Sequence, residues 1–380
     1  MRGRWPRYGH GDRAPELNSA LAMISPDQEI SFDSGGVCIH GSLRLPDSHD
    51  ANVPGVLIIA GSGPVDRNGS VGVPGTPTEI HMDLYRWIAE QLADQGIASI
   101  RYDKITSGAT GIGSYSEDPA QLVAQSFETV FVEPARNALA LLAEQPGVDA
   151  QKLLVLGHSE GGLIAMLLAS YSATADSVGA PAPAGLILAE PSYARLLDVV
   201  SRQLAEQIEL ASISSADQIA LITWADAGIA EIRQSSELGE QSTLTAPLPE
   251  AKEEALQWQE TVQSIVFGRM RNELIRSEDS LIPVDLAAEL NLPVLITAGT
   301  KDFNTPALPG GLPGSGVSAL AAAIPDGLGT YVELLNITHI LRDIGDGDPM
   351  QLSLPQQIEH PYSTQFAEAL REFLAPWANE

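Results

Sequence analysis

The stretch 152–162, reading KLLVLGHSEGG, constrains this chain more than any other. An apolar run typical of a buried parallel strand leads straight into Gly157-His158-Ser159-Glu160-Gly161, and a helical pattern follows at once. This is Gly-x-Ser-x-Gly in the strand–turn–helix setting that gives the pattern its meaning. A chain that turns from strand to helix in so few residues brings its own backbone into contact. The positions two before and two after the serine must therefore be small, and both are glycine. The serine hydroxyl is then expected above the carboxyl-terminal edge of a sheet, where α/β folds place ligands. The helix starting beside it adds free N–H groups and the positive end of its dipole.

The rest of the text supplies such a sheet. Glu29–Asp33 and Gly36–Leu45 read as strands of a hairpin joined at Ser34-Gly35, and Gly55–Ala60 is a continuous apolar run. The segment 79–95 has helical spacing, with Leu84, Ile88 and Leu92 on one face and Gly96 as a stop. Ile97–Tyr102 is a strand, 122–144 a long helical pattern interrupted at Pro134, 152–156 a strand, 161–170 a helix and 185–189 a strand. Strand and helix in alternation predict βαβ units, hence a mostly parallel central sheet with helices on both faces. Residues 192–286 break the rhythm: they show helical patterns and no strand, over a length far beyond an ordinary βα connection. They read as an inserted helical cap, with the core formed by 27–191 and 287–380 and residues 1–26 as a loose basic tail. Strands resume at 293–298 and 330–335, a last helix is expected at 364–374, and 306–315 is a Gly/Pro-rich loop.

A serine nucleophile needs a base, and the base needs an orienting acid. On this kind of elbow the chain order is serine, acid, histidine. Asp302 follows the strand PVLITA, and His339 follows the strand ending near Leu335, so both fall in loops on the sheet edge expected for Ser159. Glu190, after the strand GLILA, is the second candidate acid, and His360 is a distant second histidine. His158 is adjacent to the serine and is expected to point away. The oxyanion of acyl transfer requires two backbone N–H donors. The N–H of Glu160 is one candidate; the other is the N–H of Ser62, with Gly63 as the alternative, in the glycine-rich loop after the strand at 55–60. Asp66 and Arg67 are expected to brace that loop, as an ion pair or through backbone hydrogen bonds.

Two further motifs complete a resemblance. Gly61–Gly69 reads GSGPVDRNG and Arg101–Thr106 reads RYDKIT. With the elbow, they make the sequence resemble the α/β-hydrolase superfamily, and more narrowly bacterial carboxylesterases grouped with the serine-aminopeptidase-like hydrolases. The oxyanion loop of those esterases reads GSGP-x-DR-[DN]-G. The resemblance covers roughly residues 28–190 and 290–375. It implies an α/β-hydrolase fold and a serine carboxylesterase acting on short- to medium-chain esters, with a peptidase, amidase or thioesterase using the same triad as the alternative. Two departures stand out. The RYDK segment continues ITSGATGIG in place of the usual RG-x-G-x-S, and the helical insert carries no substrate motif.

Composition limits the remaining classes. Against 21 Lys and Arg stand 49 Asp and Glu, a formal net charge of −28, which argues against binding nucleic acid or an anionic membrane surface. The acidity reads as a solvated surface or as adaptation to salt. The single Cys38 excludes an internal disulfide and a cysteine zinc site, and reads as a small half-buried hydrophobe. No His/Asp/Glu cluster has ligand spacing, and the glycines at 108, 111 and 113 are in the wrong order for a dinucleotide loop. Neither metal nor cofactor is expected. Leu21–Ile24 is too short for a signal peptide and no run approaches the ~18 apolar residues of a membrane span, so the expected compartment is the cytoplasm. The expected partner is a small-molecule ester, and a homodimer is left open.

Overall fold

The computed structural model describes residues 27–47, 52–72, 76–172, 181–235, 242–247, 253–308 and 315–378. The tail expected at 1–26 and most of the 306–315 loop lie outside the described residues. Eight strands form one sheet: β1 Gln28–Ser34, β2 Val37–Arg44, β3 Val53–Ile59, β4 Ala98–Tyr102, β5 Val148–His158, β6 Gly185–Ala189, β7 Val294–Gly299 and β8 Gly329–Leu334. Their order is β1-β2-β4-β3-β5-β6-β7-β8. Only β2 runs against its neighbours; the pairings from β4 through β8 are parallel.

The chain leaves β3 toward β4 on one side and reaches β5 on the other. At such a reversal the loops after the central strands diverge and leave a crevice. Here those loops are the Gly61–Gly69 segment after β3 and the serine turn after β5. The central strands are buried on both faces, which is why they read as unbroken apolar runs. One face packs against the helices Glu133–Ala143 and Glu160–Ser172, the other against Leu84–Ala93 and Thr364–Ala378.

Several local expectations need correction. The hairpin turns at Gly35-Gly36, not Ser34-Gly35: both glycines have positive φ, 60° and 82°, as a tight two-residue turn demands, and Ser34 still pairs with Val37. Cys38 is exposed rather than half-buried, because the strand period of two turns Val37 and Ile39 inward and leaves the cysteine outward. The first helix begins at Leu84, since residues ahead of it are held in an extended bridge between Val71 and Ile80; Leu84, Ile88 and Leu92 do face the core. The pattern at 122–144 resolves into Ala120–Val123, a wide turn at Glu128–Val132 and a helix at Glu133–Ala143. Pro134 has no N–H to continue a helix, but it fits the first turn of a new one.

Between β6 and β7 the described residues form the helices Leu196–Leu210, Ser215–Gln234, Glu253–Ser264, Glu273–Asp279 and Pro283–Ala288, with no strand. The first four share a separate apolar cluster in which Trp224 stacks on Phe267 with ring centroids 4.6 Å apart. Buried Asp279 ties three of them together. It accepts from Arg195 Nη2 (2.9 Å), Arg233 Nε (2.7 Å) and the Leu197 N–H (2.8 Å). Arg202 anchors this segment to the sheet side, donating to the carbonyls of Phe303 (3.1 Å) and Asn304 (2.8 Å), just past Asp302.

Candidate active site

Ser159 sits between the end of β5 and the helix Glu160–Ser172 with φ of 56°, a left-handed conformation that costs a non-glycine residue energy. The surroundings enforce it. The Ser159 N–H donates to the Ala189 carbonyl (3.0 Å), and its own carbonyl accepts from Gly162 (2.9 Å) and Ser192 (3.1 Å). A Cβ on Gly157 would lie 2.0 Å from the Gly161 carbonyl oxygen, and one on Gly161 would lie 2.3 Å from that of Ile59. No side chain fits at either place, so the sequence pattern has a steric cause.

Asp302 and His339, 37 residues apart, are brought into direct contact: Nδ1 lies 2.8 Å from Oδ2. A carboxylate can only accept, so Nδ1 carries the proton and Nε2 is left as the free base. The other carboxylate oxygen, Oδ1, accepts from the N–H groups of Asn304 (2.7 Å) and Thr305 (2.9 Å). Thr305 Oγ1 lies 2.7 Å from Asp302 Oδ2 and 3.3 Å from His339 Nδ1. Burial alone would raise the Asp302 carboxyl, but the imidazole and the Thr305 donors outweigh it and hold it at about 2. Ser159 and His339 line the same cavity without a hydrogen bond between their side chains. Such bonds are commonly loose before substrate is bound.

Glu190 stands behind Asp302 rather than replacing it. It is fully buried at φ 47°, accepts from the Gly299 N–H (2.6 Å), and its carboxyl lies close enough to that of Asp302 to feel its charge. Burial, then the Asp302 charge, pushes its carboxyl far above the usual range, so Glu190 is a neutral acid buttressing an ionised one. His360 lies elsewhere, its carbonyl held by Arg342.

His158 does not point away from the site, as adjacency to the serine suggested. It is 4% exposed and packs on His339 with ring centroids 4.8 Å apart. Its Nε2 lies 2.7 Å from the His339 carbonyl oxygen, so Nε2 is the donor and Nδ1 the acceptor, taking a hydrogen bond from Tyr85 Oη at 3.0 Å. Tyr85 Oη in turn accepts from the Gly61 N–H at 2.8 Å. One chain of hydrogen bonds therefore runs beneath the serine from the glycine loop to the histidine loop. Tyr85, on the helix that the sequence places at 79–95, completes it, but the distant partners of its hydroxyl leave no mark in the sequence.

Burial, reinforced by the neighbouring His339, drives His158 down to about 3. The unfolded chain would take up that proton near 6.5, so this residue contributes stability above 6.5 that is lost as the pH falls toward 3. Between pH 7 and pH 5 the loss from this group is about 2 kcal/mol. Denaturant unfolding of the wild type and His158→Gln at both pH values checks this: the wild type should lose about 2 kcal/mol more than the variant. Equal losses would mean that His158 is not buried in neutral form.

The glycine loop is braced from several sides. Asp66 Oδ1 accepts from the N–H groups of Asn68 (2.8 Å) and Ser70 (2.7 Å), so the brace is to backbone and no Asp66–Arg67 pair forms. Arg67 instead meets Glu29 (2.6 Å), and its N–H donates to Asp103 (2.7 Å). Arg101 holds Asn68 at 2.9 Å and pairs with Asp27. The two motifs GSGPVDRNG and RYDK thus act on one another. Gly61 lies against Ser159: a Cβ there would come within 3.0 Å of the serine Cβ. Ser62 and Glu160 border the same cavity, and their N–H groups make no hydrogen bond among the described residues.

This cavity measures about 630 Å³ and is mostly apolar. Its inner wall carries Ser159, His339 and the glycine loop; its outer wall comes from the helical segment after β6, through residues such as Val199, Val200, Met270 and Leu274. Thr106, from the divergent ITSGATGIG loop, also borders it. Among the described residues no group of three or more His, Cys, Asp or Glu is arranged to hold a metal ion, and no helix is long and apolar enough to cross a membrane.

A mostly parallel eight-stranded sheet, with a glycine-flanked serine turned out after a central strand, defines an α/β hydrolase. Residues 78–310 match the family described as serine aminopeptidase, S33, and the chain belongs to that family of serine hydrolases. No curated protein matches the chain in sequence. Among solved structures the fold is shared with the α/β hydrolase GrgF from Penicillium sp. sh18, at 13% identity over 93% of this chain and 100% of that one, with a TM-score of 0.51. An esterase from Thermogutta terrifontis aligns at 17% identity over 93% and 100%, TM-score 0.47. Est1E from Butyrivibrio proteoclasticus aligns at 16% over 92% and 100%, TM-score 0.46.

Proposed function

We propose that this serine hydrolase is a carboxylesterase, cleaving short- to medium-chain esters through an acyl-enzyme on Ser159. The observation that carries the reading is the 2.8 Å contact between Asp302 and His339 Nδ1, which leaves Nε2 as a free base in the cavity that Ser159 shares. In this reading His339 Nε2 takes the Ser159 proton as Oγ bonds to the ester carbonyl carbon. The carbonyl oxygen becomes an oxyanion held by the N–H groups of Ser62 and Glu160. Nε2 then returns the proton to the leaving alkoxide, and the acyl–oxygen bond of the ester breaks. Water, deprotonated by the same nitrogen, attacks the acyl carbon; the bond from that carbon to Ser159 Oγ breaks, Nε2 returns the proton to Oγ, and the acid leaves. Asp302 stays ionised throughout and stabilises the imidazolium. The helices between β6 and β7 serve as a cap whose apolar inner face receives the acyl chain. A volume of about 630 Å³ is within the range of small-molecule sites.

The test is turnover of p-nitrophenyl esters from acetyl to palmitoyl beside aminoacyl p-nitroanilides. The reading expects the highest kcat/KM on short or medium chains and far slower cleavage of every anilide. Anilides with a free amine cleaved as fast as esters would replace it with a peptidase.

A further inference from the structure

One group in the cavity has no part in the chemistry above. Glu278 is only 6% exposed and lines the same cavity as Ser159, yet its carboxyl makes no hydrogen bond among the described residues. Its neighbour in sequence, Asp279, is saturated by Arg195, Arg233 and the Leu197 N–H. The cation that acts on Glu278 from outside that clasp is Lys104, itself 1% exposed, and its Nζ is committed to Glu160 Oε1 at 2.6 Å. One ammonium thus serves one of two carboxyls, and Glu278 is the one left over. Its oxygens are not sealed in protein but open onto the cavity, so their hydrogen-bond partners come from whatever fills that space.

The surroundings decide what that is. The charged groups near Glu278 are Glu160, Lys104 and Asp279, with Arg195 and Arg233 turned to Asp279. Burial first, then Glu160, pushes the Glu278 carboxyl well above the usual range. Glu278 therefore offers the cavity a neutral acid, one O–H donor and one carbonyl acceptor side by side. A hydroxyl, which both donates and accepts, matches that pair; a plain alkyl chain matches neither.

We propose that Glu278 is a specificity residue of this cavity, an unpartnered buried carboxyl that selects esters bearing a hydroxyl on the chain seated against the helical wall. The proposal rests on the esterase reading and names its substrate class, hydroxyacyl esters.

The experiment compares p-nitrophenyl hexanoate with its 3-hydroxy, 6-hydroxy and 6-amino analogues on the wild type, Glu278→Gln and Glu278→Leu. The readout is the ratio of kcat/KM for each analogue to that for hexanoate within one enzyme, which cancels any general loss of activity. For the wild type, at least one hydroxy ester should exceed hexanoate by about tenfold, since a site built to hydrogen-bond discriminates strongly against the analogue lacking the group. Glutamine, also a neutral donor and acceptor, should keep the preference, and leucine should bring the ratio near one. A wild type indifferent to the hydroxyl, or a preference that survives in Glu278→Leu, overturns the proposal. A preference for the amino ester that is lost in Glu278→Gln also overturns it, making Glu278 an ionised anchor for a cation. If no ester is cleaved at all, the esterase reading fails by itself. The same chains carried on a fluorophosphonate, read as the rate of Ser159 labelling, then decide the hydroxyl preference separately by the same ratios.

Discussion

Replacing Ser159 by alanine is expected to lower kcat by on the order of 10⁵-fold while leaving thermal unfolding unchanged. The two halves of this expectation have different origins. The chemical half follows from the nucleophile: without Oγ no acyl-enzyme forms, and only the oxyanion donors and binding remain to accelerate direct attack by water. The structural half follows from the hydrogen-bond pattern. The turn is fixed by the Ser159 backbone, through bonds to Ala189, Gly162 and Ser192, and its side-chain hydroxyl holds none of it. Alanine meets the same steric demand at φ 56° as serine. Parallel measurement of ester turnover and of Tm therefore separates a lost nucleophile from a damaged fold. A variant that keeps a tenth of wild-type kcat would remove Ser159 from the mechanism.

Asp302→Asn is expected to reduce kcat by about 10⁴-fold, which is more than the loss of one hydrogen bond would suggest. Asp302 Oδ1 is pinned by the N–H groups of Asn304 and Thr305. Those donors will hold the oxygen of an asparagine in the same place, which forces its NH₂ group toward His339 Nδ1. That nitrogen must then accept, the ring proton moves to Nε2, and the base is lost in the wrong tautomer. Glu190→Gln makes the matching control. Because Glu190 is already neutral beside Asp302, an amide of the same shape should cost less than about tenfold. Steady-state kinetics of both variants checks the pair. Equal, severe losses would mean that the two acids share the orienting role.

The sequence was informative where one physical constraint selected few residues. Glycines at 157 and 161 are demanded by contacts of 2.0 and 2.3 Å, so that pattern could be read without neighbours. Asp302 and His339 could be shortlisted because loops at strand ends converge on one sheet edge, and the chain does bring them together. What stayed hidden depends on three-dimensional company. His158 looked irrelevant because its partners, Tyr85 and the His339 carbonyl, are 73 and 181 residues away. Thr305 carried no signal beyond following an aspartate. Glu278 lies in a helix with no readable motif, and its isolation became visible only once the arginines were seen to serve Asp279 instead. The turn falls at Gly35-Gly36 because strand ends are set by pairing, which a single sequence does not show, and Cys38 faces outward because it is out of phase with the inward Val37 and Ile39.

The proposed mechanism stands or falls with Ser159 as its covalent nucleophile. The measurement is a fluorophosphonate reaction on the protein, followed by intact mass and peptide mapping. A single adduct on Ser159 is expected in the wild type, and a much slower adduct at the same serine in Asp302→Asn, where the base is disabled. Absence of any adduct, or an adduct on another residue, would contradict it.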